Sequence, residues 1–170
     1  DLGPLISNQS LERVRGIIHR AIDEGADLKL DGRQVHVAGF EKGNYIGPTV
    51  LANCTAAMEC YQEEIFAPVL VCVNVPTLDA AIEFCNENAW GNGTAVFTQS
   101  GSTARNFARD IEATQVGVNL PIPVSVAPFA FTGGKASFVG STNFYGRAGV
   151  DFYTQRKTVM SAWRKTKDER

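Results

Sequence analysis

Hydrophobic and polar positions follow two spacings along this chain, one typical of helices and one typical of strands. Apolar residues recur every three or four positions over 11–22, after Ser7, which is a good helix cap. The spacing predicts a helix there that ends at Gly25. Two short alternating runs joined by an Asp-Gly pair predict a hairpin over 28–37. A further strand is expected over 49–51, after a Gly-Pro turn.

The middle of the chain alternates regularly between strand-like and helix-like segments. Mainly apolar runs predict strands over 69–75, 94–98 and 116–119. Apolar positions at helical spacing predict one helix that Thr77 caps and a second helix over 103–111. This order predicts a βαβαβ unit with parallel strands and right-handed crossovers. The fold class is therefore expected to be α/β, with helices on both faces of a parallel sheet in a three-layer arrangement.

The C-terminal third is less regular. Residues 120–150 have no period and are rich in proline, glycine and phenylalanine, and they follow a strand end, where open α/β sheets place their ligand crevices. Residues 152–163 are rich in β-branched and aromatic types and predict a terminal strand. Such a strand leaves an open edge, which a second subunit could cover. Residues 164–170 are expected to form a polar tail.

Composition excludes several classes of protein. The 170 residues carry 18 acidic and 16 basic side chains without long blocks of one sign, so neither a nucleic-acid partner nor a polybasic membrane surface is expected. The longest apolar run is too short to span a bilayer. The four cysteines form no CxxC pair, which favours reduced thiols. The chain starts at Asp1 without an initiator methionine and is expected to be a piece of a larger protein.

Several chemical motifs are incomplete. The Gly-x-Gly run at 91–93 lacks the third glycine of a dinucleotide loop, because Val96 stands there. The segment 132–136 is similar to a phosphate loop but ends in alanine where serine or threonine is required. His19 and His36 have no metal-ligand cluster around them, so no metal site is expected.

The thiols also offer no obvious nucleophile. Cys72 and Cys85 are expected to be buried and inert, whereas Cys54 and Cys60 flank a polar turn and could be reactive, although no histidine stands nearby to activate them. The residues alone therefore favour a binding or scaffolding piece.

The acidic pair Glu63-Glu64 is the least expected feature, because it opens a buried strand. It indicates either a solvated acidic turn or a ligand-facing site. The stretch 63–70, EEIFAPVL, resembles the EEIFGP signature of aldehyde dehydrogenases. Other segments resemble the same family in the same order, namely Gly3–Ile6, Gly47–Thr49, Leu78–Ile82, Trp90-Gly91 and Tyr153–Val159. The resemblance covers nearly the whole chain.

The irregular segment resembles one branch of that family. Residues 118–124, 131–133 and 142–146 look most like the CoA-acylating methylmalonate-semialdehyde dehydrogenases, whereas ordinary members carry PFGG-x-K-x-SG there. The resemblance implies oxidation of methylmalonate or malonate semialdehyde through a cysteine thioester, with NAD reduction, transfer to coenzyme A and loss of carbon dioxide, as in valine catabolism. The alternatives are a family member that releases a free acid, a free-standing small-molecule-binding module, and an assembly module.

The resemblance also implies roles for individual residues. Glu64 is expected to accept hydrogen bonds from the nicotinamide ribose hydroxyls of NAD, and Glu63 to face solvent. Phe66 is expected to flank the nicotinamide, and Phe131 to line the substrate tunnel. Ala67 departs from the family pattern, which has glycine there.

No catalytic residue is assigned within this chain. The resemblance implies that the catalytic cysteine and the Rossmann-like domain lie upstream, so the chain alone is expected to be inactive. It implies a catalytic-domain part over 1–150, an oligomerisation strand over 151–163 that forms a dimer or tetramer, and a tail over 164–170. The expected location is the mitochondrial matrix in a eukaryote or the cytoplasm in a bacterium.

Overall fold

The computed structural model describes residues 2–126, 128–140, 143 and 145–163. The chain forms two compact units, Asp1–Val75 and Pro76–Arg170. The first unit holds α1 (Asn8–Asp23), β1 (Asp27–Leu30), β2 (Thr49–Ala52), α2 (Glu59–Gln62) and β3 (Val69–Val71). The second holds α3 (Leu78–Glu87), β4 (Gly93–Val96), α4 (Gly101–Asp110), β5 (Gln115–Val118) and α5 (Gly146–Tyr153).

Helix α1 forms as the sequence predicts and carries the core of the first unit. The Ser7 hydroxyl accepts a hydrogen bond from the Ser10 amide at 3.1 Å and so caps the helix. Gly25 follows the C-terminus with φ of +103°, a conformation that glycine adopts without steric cost. The apolar stripe is buried, and its members are Leu11, Val14, Ile17, Ile18 and Ala21.

The sheet of the first unit corrects the predicted hairpin over 28–37. Strand β1 pairs antiparallel with β2, and β2 pairs parallel with β3, in the order β1-β2-β3. After β1 the chain turns instead of forming a second arm, because the Gly32 amide donates to the Thr49 hydroxyl at 3.1 Å and the Gly47 amide donates to the Gly32 carbonyl at 2.8 Å. Local alternation could not show that the partner of β1 comes twenty residues later.

The second unit contains the predicted strand–helix–strand element. Strands β4 and β5 pair in parallel with Gly93 opposite Gln115, and α4 connects them. Thr77 caps α3 and Ser100 caps α4, which starts two residues before the predicted Thr103. The core consists of Ile82, Phe107 and Ile111.

The predicted βαβαβ unit is only partly present. Among the described residues, β3 belongs to the sheet of the first unit, whereas β4 and β5 form a separate two-stranded sheet. Within the first unit, β3 pairs in parallel with β2.

The C-terminal segment also differs from the prediction. Helix α5 extends to Tyr153, closed by a hydrogen bond from the Thr154 hydroxyl to the Val150 carbonyl at 2.7 Å, so a strand starting at Phe152 is wrong. Residues 154–163 are exposed and form neither helix nor strand, because no neighbouring strand among the described residues supplies hydrogen bonds. The predicted tail over 164–170 lies outside the described residues. None of the described helices could cross a membrane.

Candidate functional site

The acidic signature forms the turn that leads from α2 into β3. Its ends are fixed by the backbone, because the Glu63 amide donates to the Glu59 carbonyl and the Thr49 amide donates to the Pro68 carbonyl, both at 2.9 Å. We call residues 63–68 the signature turn. It lies entirely in the first unit.

Phe66 has an unusual backbone within this turn. Its φ is +58°, in the left-handed region, and its side chain is 83% exposed. For a bulky residue this conformation costs roughly 1–3 kcal/mol, and strain of this kind concentrates at functional sites. The exposed ring offers little burial to offset that cost. Backbone strain on an exposed aromatic side chain therefore supports a binding role for Phe66.

The side chain of Arg13 holds the signature turn from α1. Its Nη2 donates to the Glu64 carbonyl at 2.9 Å and its Nη1 donates to the Ile65 carbonyl at 3.1 Å. Nη2 also lies 3.8 Å from the Glu63 carboxylate, whose side chain is mostly exposed, in agreement with its predicted solvent-facing position. No local pattern in the sequence indicates this role of Arg13, because 51 and 52 positions separate the partners of these hydrogen bonds.

The carboxylate of Glu64 is available to a ligand. The residue is exposed, and its carboxylate takes part in no hydrogen bond or ion pair with the described residues. A carboxylate is a pure acceptor that can receive two hydroxyl donors at once. The structure therefore leaves the atoms of the predicted ribose contact accessible.

A groove of about 440 Å³ adjoins the turn. It is lined by Phe66 together with Pro4, Leu5, Ile6 and Ser10 from the start of the chain. The Leu5 amide donates to the Asn44 carbonyl at 2.9 Å and fixes this edge. Two segments that resemble one family, 3–6 and 63–68, are thus brought together.

Phe131 lies in the irregular segment of the second unit and is half-buried. Its ring packs edge-on against Tyr145, with centroids 5.7 Å apart. Thr132 fixes the adjacent backbone, because its hydroxyl donates to the Thr114 carbonyl at 3.0 Å and its carbonyl accepts from the Gln115 side-chain amide at 2.8 Å. Residues 142 and 144 of the family-like segment 142–146 lie outside the described residues.

Lys135, in the segment 132–136 that is similar to a phosphate loop, has a structural role. Its Nζ donates to the carbonyls of Cys85, Asn86 and Asn88 at 3.3, 2.7 and 3.1 Å, around the C-terminus of α3. A cation there also complements the helix dipole. The lysine therefore serves the fold, and its amine is already bound to protein carbonyls.

The cysteines are not arranged as nucleophiles. Cys54 and Cys60, predicted to flank a polar turn, are both buried, and burial raises the pKa of Cys60 to about 12 and raises the pKa of Cys54. Cys85, predicted to be buried, is exposed, and Cys72 is only half-buried. No group of three or more potential metal ligands occurs among the described residues.

Comparison with known proteins gives the family. Residues 1–159 match the profile described as "Aldehyde dehydrogenase family". The chain belongs to the aldehyde dehydrogenase family. The predicted resemblance is thereby confirmed, and the α/β fold with parallel strand pairs agrees with it.

Individual relatives of this family are similar over most of the chain. An acylating mitochondrial methylmalonate-semialdehyde dehydrogenase of Arabidopsis thaliana is 57% identical over 164 residues, which cover 96% of this chain and 27% of that protein. The crystal structure of the methylmalonate-semialdehyde dehydrogenase of Oceanimonas doudoroffii is 42% identical with a TM-score of 0.94, and the match covers 100% of this chain and 35% of that one.

A more distant structure contains a nucleotide. An aldehyde dehydrogenase of Mycobacterium tuberculosis, complexed with NAD+, is 33% identical with a TM-score of 0.81, and the match covers 98% of this chain and 33% of that one. The chain thus spans between 27% and 35% of the length of these three relatives.

Proposed function

We propose that this chain is the C-terminal part of an NAD-dependent, CoA-acylating methylmalonate- or malonate-semialdehyde dehydrogenase. The observation that carries the proposal is the 57% identity to an Arabidopsis relative whose name includes both the substrate and the word acylating. The reaction oxidises the semialdehyde, transfers the acyl group to coenzyme A and releases carbon dioxide. It belongs to the type of chemistry that degrades valine.

Glu64 and Phe66 form one wall of the proposed NAD site. The Glu64 carboxylate, exposed and without a protein partner among the described residues, accepts hydrogen bonds from the nicotinamide ribose hydroxyls. The Phe66 ring borders the groove and orients the nicotinamide end. When bound, NAD supplies the hydride acceptor for aldehyde oxidation.

Phe131 is proposed to line the substrate tunnel. Its edge-on contact with Tyr145 fixes an apolar surface in the irregular segment of the second unit. The thiolate that attacks the aldehyde lies in a part of the parent protein that this chain does not include. The chain alone is therefore proposed to be inactive.

Assembly is proposed to use the exposed end of the chain. Residues 154–163 have exposed backbone and exposed apolar side chains, including Val159 and Trp163. Pairing with a strand of a second subunit would satisfy that backbone and make the parent a dimer or tetramer. We propose a catalytic-domain part with three layers over 1–150 and a tail over 164–170, and we limit the assembly segment to 154–163, since residues 151–153 belong to α5.

The proposed location follows the eukaryotic relatives, whose names include the word mitochondrial. It is the mitochondrial matrix in a eukaryote and the cytoplasm in a bacterium. Neither a nucleic acid nor a membrane is proposed as a partner.

A chimera tests the proposal. In it, this chain replaces the matching 164 residues of the Arabidopsis relative. With methylmalonate semialdehyde, NAD and coenzyme A, the chimera should form NADH and an acyl-CoA product, and the isolated chain should form neither. Mass spectrometry of the product separates the two enzyme classes, because a free acid formed in the presence of coenzyme A would indicate the non-acylating alternative.

The isolated chain tests the other two alternatives. Turnover by this chain at the rate of the chimera would contradict the fragment proposal. Micromolar binding of NAD by the isolated chain would favour a free-standing binding module. Removal of residues 154–163 with unchanged oligomeric mass would contradict the assembly role of that segment.

A further inference from the structure

The signature turn has few hydrogen bonds between its two ends, although the side chains of Ile65 and Ala67 pack against the core of the first unit. The Glu63 amide and the Pro68 carbonyl are tied to neighbouring backbone, as described above. Between them, the carbonyls of Glu64 and Ile65 receive hydrogen bonds from Arg13, and no other donor reaches these two carbonyls within the described residues. The strained Phe66 follows directly after them. The two carbonyls that precede Phe66 are therefore held by one side chain from another element.

Arginine suits this task better than lysine. Two neighbouring carbonyls require two parallel donors, and a planar guanidinium provides them in a rigid fork, whereas an ammonium group is a single point. The two hydrogen bonds use different nitrogens, Nη1 and Nη2, with similar lengths of 3.1 and 2.9 Å. The ion pair with Glu63 is longer, at 3.8 Å, and contributes little at an exposed site.

The base of this side chain is firmly placed. Arg13 lies on the partly exposed side of α1, while the opposite side of that helix forms the core of the first unit. Residues on both sides of it in the chain, Leu11 and Val14, are buried. The guanidinium therefore acts from a rigid support on two carbonyls that have no other donor among the described residues.

We infer that Arg13 is a positioning residue, whose bidentate contact with the Glu64 and Ile65 carbonyls holds the signature turn so that the Glu64 carboxylate and the Phe66 ring face a ligand. The inference rests on the proposed NAD contacts of Glu64 and Phe66. Arg13 itself is assigned no contact with NAD. Its effect on cofactor binding is indirect and passes through the backbone of the turn.

Hydrogen exchange of this chain tests the structural half of the inference. Arg13→Ala should speed exchange of the Glu63 and Val69 amides, the hydrogen-bonded amides at the two ends of the signature turn, by roughly tenfold, because the turn opens more easily once two charge-assisted hydrogen bonds are lost. Arg15→Ala is the matched control, since Arg15 lies on the same helix and is similarly exposed but contacts Glu12 and the Arg33 carbonyl. It should leave exchange in the turn within about twofold of the unmodified chain.

Two further variants separate the fork from the charge. Arg13→Lys keeps the charge but loses the fork, so its exchange should be nearly as fast as in Arg13→Ala. Glu63→Gln removes only the ion pair and should change exchange by less than about twofold. Unchanged exchange in Arg13→Ala, or full protection in Arg13→Lys, would overturn the inference.

The chimera described above tests the functional half. Arg13→Ala should raise the KM for NAD by about tenfold and leave the KM for coenzyme A and the melting temperature nearly unchanged. An unchanged KM for NAD despite faster exchange in the turn would overturn the link from Arg13 to the cofactor. A chimera that uses no NAD would overturn the proposed function instead. Hydrogen exchange of the isolated chain would still test whether Arg13 holds the signature turn.

Discussion

Phe66 and Lys135 share an unfavourable backbone conformation but are stabilised in opposite ways. Both have left-handed φ values, +58° and +48°. Lys135 has a side chain that is only 16% exposed, and its amine binds three carbonyls, so its own contacts offset the strain. Phe66 is mostly exposed, and Arg13 donates hydrogen bonds to the carbonyls of the two residues that precede it.

The backbone strain at Lys135 serves the fold, whereas the strain at Phe66 serves a ligand. Lys135 joins the irregular segment to the end of α3, which explains its conformation without any ligand. Phe66 gains no comparable contact, so the conformation is better explained by what the exposed ring binds. Glycine substitutions at the two positions should therefore act in opposite directions.

The largest expected effect is at Lys135. Lys135→Gly relieves the backbone strain but removes the hydrogen bonds of the amine to the carbonyls at the C-terminus of α3. The free energy of unfolding should therefore fall by about 2–3 kcal/mol. Urea denaturation of the isolated chain measures it. Lys29→Met is the control, because it removes one exposed ion pair, with Asp27. It should lower the free energy of unfolding by less than about 1 kcal/mol. An unchanged stability of Lys135→Gly would contradict the structural role of the amine.

The next effect concerns the ligand side of the comparison. Glu64→Gln in the chimera should raise the KM for NAD by about tenfold, because an amide is a weaker acceptor for two ribose hydroxyls than a carboxylate. Glu63→Gln is the matched control and should change the KM by less than about twofold, since Glu63 is assigned no cofactor contact. Equal effects of the two substitutions would contradict the assignment of Glu64.

Phe66→Gly should stabilise the chain, in contrast to Lys135→Gly. Glycine adopts the left-handed conformation freely, and the exposed ring contributes little burial, so the free energy of unfolding should rise by about 1 kcal/mol. The same substitution in the chimera should weaken NAD binding. Phe97 serves as the control, because it is also exposed but has no left-handed backbone, and Phe97→Gly should not stabilise the chain. A loss of stability in Phe66→Gly would contradict the view that the strain at Phe66 does not serve the fold.

The smallest effect belongs to an ordinary surface contact. The Arg33 guanidinium donates hydrogen bonds to the Asp31 carboxylate at 2.8 and 2.7 Å and lowers the pKa of Asp31 to about 2 from an ordinary value of 3.8. A lowered carboxyl pKa adds stability above the unfolded value, and this stability is lost as pH falls towards 2. The free energy difference between the unmodified chain and Asp31→Asn should thus be less than about 1 kcal/mol near neutral pH and should shrink as pH falls from about 4 to about 2. Urea titrations across that range measure it, and a difference that does not shrink between these pH values would contradict the assignment.

Local sequence signals predicted the elements that depend on local interactions. The caps Ser7 and Thr77 and the apolar spacing that follows each of them located α1 and α3, because capping and helical periodicity act within a few residues. The β4–α4–β5 element was predicted for the same reason. The signature at 63–68 and the family resemblance were also evident from the order of the residues alone.

The choice of strand partners was decided only by the tertiary structure. Alternation at 28–37 predicted a hairpin, yet β1 pairs with β2, because the Gly32 amide binds the side chain of Thr49 and places the two strands together. Residues 152–153 have strand-forming side chains but end α5, since neighbouring strands, and not composition, determine whether a strand forms.

The same division holds for the candidate site. The sequence determined which residue types are present in it, namely the carboxylate of Glu64 and the ring of Phe66. The fold decided that Arg13 would lie across from them, that Phe66 would take a left-handed backbone, and that Lys135 would bind carbonyls instead of a ligand. Contacts between residues about fifty positions apart depend on how helices and strands pack, and no local pattern of hydrophobic and polar positions contains that information.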